Sequence, residues 1–164
     1  MIRVPKYFMA AAIAAGTLAS CNNAPKTENK PVEQATIAFR TDGELLLLTS
    51  TGDTLKQIEI EIADDDYERE TGLMYRQELG TDQGMLFVFP DEAERGFYMK
   101  NTHIPLDIAY FNADSIAISI HQNTTPLDDT TIPSNGAAKF VLEVNAGKLQ
   151  EWQFGVGDKF SLSK

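Results

Sequence analysis

Residues 55–63, LKQIEIEIA, decide the fold class, because apolar and polar side chains alternate along them. Ile58, Ile60 and Ile62 occupy every second position, with polar residues between them. A period of two is typical of a strand with one buried face. The sequence therefore predicts a β-sheet that contains this segment as one of its strands.

Apolar segments on both sides of this strand predict further strands, separated by turns. Upstream, TIAF and ELLLLTS flank Asp42-Gly43, a pair favoured in two-residue hairpin turns, and TGDT predicts a second turn. The downstream candidates are GMLFVF (84–89, ended by Pro90), GFYMK (96–100), LDIAYF (106–111), SIAISIHQ (115–122), KFVLEV (139–144) and GVGDKFSLS (155–163). We expect residues 126–138 to be a loop, since they are rich in Pro, Asp, Thr and Gly.

Two short helices complete the prediction. An Asp cap at 64 or 65 and a stop at Gly72 favour a helix within residues 64–74. Asn145 is a candidate cap for a second one, over NAGKLQEW. The expected fold is mainly β, a β-rich α+β domain: a compact antiparallel sheet or partly closed barrel of about eight or nine short strands with two short helices.

Polar residues interrupt an apolar segment at GFYMKNTHIPLD, residues 96–107. They are Lys100, Asn101, Thr102, His103 and Asp107. Pro105 restricts the residue before it to extended conformations, which predicts a bend between two strands. The polar residues either stabilise that bend or line a binding site, and both interpretations stay open.

Two carboxylates fall inside predicted strands and need partners if they are buried. Asp107 begins LDIAYF, and Glu143 interrupts FVLEV. Lys100 or Arg76 could supply the partner for Asp107. The candidate ligand-binding residues are Arg76, Tyr98, Lys100, Asn101, Thr102, Asp107 and Glu143.

The sequence predicts no metal site and no cofactor. The two histidines, His103 and His121, have no spacing that requires a metal. Met74, Met85 and Met99 could bind Cu(I) if their thioethers converged, but methionines among apolar residues are usually core filler.

The N-terminus has the features of an export signal. Two basic residues precede residues 7–20, an apolar stretch too short for the roughly 20 residues that span a bilayer. The stretch ends in LASC, which resembles the lipobox of bacterial lipoproteins, and Cys21 is the only cysteine. This resemblance implies acylation of Cys21 and stable membrane anchoring through more than one chain.

The predicted organisation is a signal peptide (1–20), a lipidated Cys with a flexible tether (21–35) and a single β-rich domain (36–164). Residues 22–35 are too polar to fold alone. The lipoprotein resemblance implies, with Asn22 after the cysteine, delivery to the outer membrane. The expected location is the cell envelope, lipid-anchored in the outer membrane and facing the periplasm. The lipid anchor makes the membrane one expected partner.

The acidic composition argues against nucleic-acid binding. The chain has 24 acidic and 14 basic residues, a net charge of −10. Proteins that bind nucleic acids neutralise phosphates with Lys and Arg. A small ligand or an envelope protein is the better candidate partner.

The motifs GLMYRQEL, GMLFVF, GFYMKNTHIPLDIAYF, KFVLEVNAG and GVGDKF, in this order, resemble the domain of unknown function 192 family over residues 55–162. The resemblance implies a compact, often exported β-rich domain without an established activity. Tyr98 stands where the family usually has Trp. The residues shared with the family are Gly72, Met74, Arg76, Gly84, Met85, Met99, Asn101, Thr102, Pro105, Asp107 and Glu143.

Three functions follow from these residues. The first is a lipid-anchored envelope domain that binds a small ligand or a protein without chemistry. The second is a hydrolase or transferase with Asp107 or Glu143 as general base. The third is copper handling through the three methionines.

Overall fold

The computed structural model describes residues 37–163, and within them the chain forms seven strands and two short helices. In chain order they are β1 (Gly43–Leu48), β2 (Thr54–Ala63), α1 (Asp66–Thr71), β3 (Gln83–Phe97), β4 (Leu106–Phe111), β5 (Ala117–His121), β6 (Ile132–Asn145), α2 (Lys148–Glu151) and β7 (Lys159–Ser163). The predicted signal peptide (1–20), and Cys21 with its tether (21–35), lie outside the described residues. Neither helix in the described part is long and apolar enough to cross a membrane.

The seven strands form one curled sheet in the order β5-β4-β6-β3-β2-β1-β7. All neighbouring strands are antiparallel except β2 and β3, which run parallel. The two edges approach each other, since Ile116 forms a bridge with Lys159 and the Ala117 amide donates to the Asp158 carbonyl at 2.8 Å. The predicted β-rich, partly closed barrel is confirmed.

Two predicted strands merge into β3, which lowers the strand count. Pro90 does not end the strand, because it lies where the register between β3 and β6 breaks, between Val88 and Ala93. Proline has no N–H to donate and is tolerated at such irregularities. Residues 132–138, predicted as part of a loop, belong to β6.

The turn predictions were partly wrong. TIAF forms no strand over residues 37–39, so Asp42-Gly43 has no preceding strand to join to β1 and makes no hairpin. The Asp42 carboxylate accepts instead from the Ile62 amide at 2.9 Å. The turn at Gly52 joins β1 to β2 as predicted. Asn145 ends β6 and caps no helix; the residue before α2 is Gly147.

The first helix agrees with the sequence signals. The Asp65 carboxylate accepts from the Glu68 amide at 2.7 Å, and Gly72 ends α1 with a positive φ of 49°. These two features set the start and the end of α1.

The sheet separates two hydrophobic cores. The first includes Leu45, Leu47, Ile58, Ile60, Leu86, Leu142, Val144, Leu149, Trp152, Phe154 and Phe160. The second includes Leu73, Met85, Phe87, Met99, Ile104, Leu106, Ile108, Tyr110 and Val141. Side chains alternate between faces along a strand, so Glu143 lies on the side of the second core.

Candidate functional site

The second core opens to solvent beside the end of α1, in a cavity of about 180 Å³ that we call the Glu143 cleft. Its walls come from α1, β3, β6 and the segments that follow α1 and β3. The lining residues are Arg69, Glu70, Thr71, Gly72, Leu73, Met74, Phe87, Phe89, Gly96, Phe97, Tyr98, Thr102 and Glu143. Three of the predicted ligand-binding residues, Tyr98, Thr102 and Glu143, are brought together here.

Gly72 makes room for one wall of the cleft. A Cβ atom at this position would lie 2.9 Å from Cζ of Phe87 and 4.0 Å from Oε2 of Glu143. Together with the positive φ, this close approach favours glycine. The end of α1 can therefore pack directly on the floor of the cleft.

Aromatic rings form much of the apolar wall. The rings of Phe87 and Phe97 meet edge to face, with centroids 4.9 Å apart and an interplanar angle of 89°. Phe97 in turn meets Tyr110 at 5.7 Å. Tyr98 is 40% exposed and lies at the opening. The rigid edge-to-face contacts hold the wall in a defined shape.

The most unusual group of the cleft is the Glu143 carboxyl. It is 5% exposed, and no hydrogen-bond donor among the described residues reaches it. Its opposite neighbours in the sheet are Met85 on β3 and Ile108 on β4, neither of which carries a charge. Burial raises the pKa of Glu143 to about 8, so the group is largely protonated at neutral pH.

The nearby Tyr110 hydroxyl does not pair with Glu143. It donates to the Ile132 carbonyl at 2.6 Å. Burial, and after it the Glu143 carboxylate, raise the pKa of Tyr110. This phenol is therefore neutral at physiological pH and serves to anchor β4 to β6.

Arg76 lies outside the cleft and has a partner that the sequence analysis missed. Its guanidinium donates to both oxygens of Glu61, with Nη1 to Oε1 at 2.9 Å and Nη2 to Oε2 at 2.5 Å. Both side chains are buried. The amide of Arg40 also donates to Glu61, at 2.6 Å. The expectation that Arg76 pairs with Asp107 was wrong.

Asp107 is fully buried and structural. Oδ1 accepts from the Asn123 amide at 2.8 Å, and Oδ2 accepts from the Leu149 amide at 3.0 Å. The predicted cationic partner, Lys100 or Arg76, does not contact it. Asp107 thereby ties β4 to the start of α2 and to the segment after β5, and it is not available as a general base.

We expect Asp107→Asn to lower the free energy of unfolding by about 1–3 kcal/mol. The side-chain NH₂ group of Asn would point at the backbone N–H of Asn123 or Leu149, which would lose its acceptor. A buried donor without an acceptor typically costs about 1–3 kcal/mol. Lys100→Ala, a change at an exposed residue without an ion pair in the described part, should cost less than about 1 kcal/mol. Thermal melts of the two variants measure the difference. Equal losses would mean that the bend, and not Asp107, anchors this region.

The bend after β3 is held by backbone geometry. Asn101 and Tyr75 both have positive φ, at 58° and 64°. The Tyr75 amide donates to the Asn101 carbonyl at 2.8 Å, and Nδ2 of Asn101 donates to the Tyr75 hydroxyl at 2.9 Å. Asn101 therefore stabilises the bend, Lys100 lies exposed on it, and Thr102 lines the cleft.

The methionines do not meet at one place. Met74 and Met85 line a second cavity of about 200 Å³ that also contains Arg76. Met99 is buried elsewhere, and its sulfur accepts from the Thr124 hydroxyl at 3.1 Å. A three-methionine copper site is thus not assembled by the described residues.

The histidines are also apart from any metal-binding group. Nε2 of His121 lies 2.8 Å from the Pro133 carbonyl oxygen, and the His121 ring packs against Tyr110. His103 is exposed. Over residues 37–163, no three His, Cys, Asp or Glu side chains are grouped as metal ligands.

The comparisons with known proteins give a family and a fold. The family model named DUF192, uncharacterized ACR, matches residues 47–162. A candidate transcription regulator from Sinorhizobium meliloti 1021 is similar at 33% identity and a TM-score of 0.71, over 78% of this chain and 98% of that one. A protein of unknown function from Novosphingobium aromaticivorans DSM 12444 is similar at 31% identity and a TM-score of 0.66, over 90% and 99%. None of the curated proteins matches significantly.

Proposed function

Because the chain belongs to the DUF192 family, whose description names no activity, we propose that its domain is a binding module that holds a small molecule in the Glu143 cleft. The observation that carries this proposal is the buried Glu143 carboxyl without a partner among the described residues. Burying such a group is costly unless something bonds it. A cost of this kind is common where a site is built for a ligand and not for stability.

The size and lining of the cleft support a small ligand. Its volume of about 180 Å³ is close to that of an engineered apolar cavity in another protein, of about 150 Å³, which binds benzene. Apolar walls with a few polar groups are typical of small-molecule sites. Here Glu143 and Thr102 supply two of the polar groups among the lining residues.

The name of the Sinorhizobium relative gives little support for DNA binding by this chain. A net charge of −10 opposes contact with phosphates. The cleft, at about 180 Å³, is moreover too small to admit a duplex.

The retained ligand can be sought directly by native mass spectrometry of protein purified from its own membranes. We expect a bound small molecule in the wild type and in Glu78→Gln, which removes an exposed carboxylate outside the cleft. Glu143→Gln should lose most of it. Equal retention by Glu143→Gln, or no bound molecule even after incubation with a small-molecule extract of the envelope, would contradict the proposal.

We also propose that the protein is held in the cell envelope, in the outer membrane facing the periplasm, by lipid on Cys21. The support is the lipobox-like LASC at residues 18–21. Multiple acyl chains would give stable anchoring, and the polar residues 22–35 would let the domain stand away from the lipid.

Cys21→Ala should move the mature protein out of the membrane fraction or leave it unprocessed, because no acceptor for the lipid remains. Fractionation followed by immunoblotting measures this. Ser20→Ala is the matched control, since it keeps a small residue before the cysteine. Stable membrane association of mature Cys21→Ala protein would refute the lipid anchor.

A second function, proton transfer by Glu143, is favoured by one observation. Its pKa of about 8 lies near the working pH at which a general base or acid is most effective. Incubation of the retained ligand with wild type and Glu143→Gln in D₂O, followed by NMR and mass spectrometry, would reveal it as deuterium incorporation or a new product seen only with the wild type. An unchanged ligand would leave binding as the function.

A further inference from the structure

We propose that the ligand of the Glu143 cleft is a small organic cation: an alkyl- or arylammonium ion whose charged nitrogen contacts Glu143 and whose apolar part lies against the aromatic wall. This inference rests on the proposed function and names the chemical class of the ligand. It follows from three features of the cleft: a carboxyl without a partner among the described residues, aromatic rings that line the same cavity, and the arrangement of the surrounding charges.

The carboxyl and the rings suit an ammonium ion together. An ionised carboxylate accepts hydrogen bonds only, and in this place it can be satisfied by a donor that the ligand brings. The negative faces of Phe and Tyr rings attract cations within about 6 Å. Phe87, Phe97 and Tyr98 all line the cavity that contains Glu143.

Among the described residues that line the cleft, Arg69 is the one basic side chain, and it is already engaged. The Arg69 guanidinium donates to the Asp66 carboxylate at 2.6 Å, to the Val88 carbonyl at 2.9 Å and to the Asp64 carbonyl. It lies 5.8 Å from the ring of Phe89. Its hydrogen bonds are thus directed away from Glu143, and the positive charge is offset by Asp66.

The other charges favour a cation over an anion. Glu70 stands at the cleft as an exposed carboxylate, and the whole chain is acidic, at −10. Such a field raises the local concentration of cations. An anionic ligand would meet the like charge of Glu70 and, above about pH 8, that of Glu143 as well.

Binding of a cation should depend on pH in a defined direction. The charged or titratable groups that line the cleft with Glu143 are Arg69 and Glu70 from α1 and Tyr98 from the bend after β3, and Tyr110 of β4 is close enough for Glu143 to raise its pKa. Arg95 of β3 packs against the Phe89 ring at the cleft and is paired with Asp91. Since the pKa of Glu143 is about 8, the cation must displace its proton below that pH. Affinity should therefore rise about tenfold per pH unit up to about pH 8 and then level off.

The test compares two probes of the same shape, cyclohexylamine and cyclohexanol, by NMR titration of the purified full-length protein in detergent. The amine stays charged well above pH 8, because alkylammonium groups titrate near about 10.4, as lysine does. At about pH 8.5 we expect the amine to bind the wild type about tenfold more tightly than the alcohol. The shifts should appear at Phe87, Tyr98 and Thr102. Glu78→Gln should keep this preference, and Glu143→Gln should lose it.

The outcomes separate the ligand class from the proposed function. If the alcohol shifts the same cleft residues as strongly as the amine does, the cleft binds ligands but the cation is wrong. The cation is also wrong if the amine binds equally well at about pH 6 and about pH 8.5, or if the retained native ligand proves to be an anion or a neutral molecule. If neither probe nor any native ligand perturbs the cleft, both this inference and the proposed function fail.

Discussion

Glu143→Gln is expected to make the protein more stable at alkaline pH by several kcal/mol. Burial raises the pKa of Glu143 from an ordinary value of 4.5 to about 8, so the fold favours the protonated form. The contribution of this group to stability is complete below pH 4.5 and is lost as the pH rises through about 8. The loss amounts to about 5 kcal/mol, at roughly 1.4 kcal/mol for each pKa unit. Glutamine is neutral at every pH and avoids the loss.

The measurement is denaturant unfolding of wild type and variant at about pH 5 and about pH 9. We expect near-equal stability at the lower pH and a more stable variant at the higher pH. Glu78→Gln, a change at an exposed carboxylate, should show no such divergence. If Glu143→Gln were less stable than the wild type at both pH values, Glu143 would be a structural carboxylate whose hydrogen bonds are made within the protein. A variant that gains stability while it loses the ligand would display the trade-off expected of a binding site.

Glu61→Gln should have the second large effect, in the opposite direction. Its carboxylate bonds both terminal nitrogens of Arg76, and both side chains are buried. Removal of one member of a buried ion pair leaves an uncompensated charge and typically costs about 3–5 kcal/mol. The measurement is the free energy of unfolding in urea at neutral pH.

A double replacement and an exposed pair serve as controls. Glu61→Leu combined with Arg76→Met should recover much of the stability, because apolar residues of similar volume often replace a buried pair at little cost. Asp82→Asn breaks the exposed pair with Lys56 and should cost less than about 1 kcal/mol. If Glu61→Gln were as mild as Asp82→Asn, the pair would not be a main support of this region.

The sequence predicted the fold class because the period-two pattern of residues 55–63 and the short apolar runs are local signals. It also singled out Glu143, since a carboxylate inside an apolar strand is visible without a structure. The sequence divided β3 into two strands at Pro90, because the irregular register that accommodates this proline is a property of the β3–β6 pair and not of the local sequence.

The partners of buried charges could not be predicted, because they come from distant parts of the chain. The alternating pattern predicts that Glu61 is exposed. In the structure it is buried by Arg76, which follows α1 in the chain and donates to its carboxylate. Asp107 was expected to need a cation, but two backbone amides satisfy it. The aromatic wall was missed for the same reason: only the fold places Phe87 and Phe97 around Glu143.

The most direct test of the cleft as a ligand site is the pKa of Glu143 itself, followed by ¹³C NMR of its side-chain carboxyl carbon. The resonance is assigned by its loss in Glu143→Gln. In the protein without added ligand we expect a pKa of about 8, which falls when cyclohexylammonium is bound, because the cation stabilises the carboxylate. A pKa near the ordinary value of 4.5 that no ligand changes would show a carboxyl already satisfied or solvated, and would contradict the account.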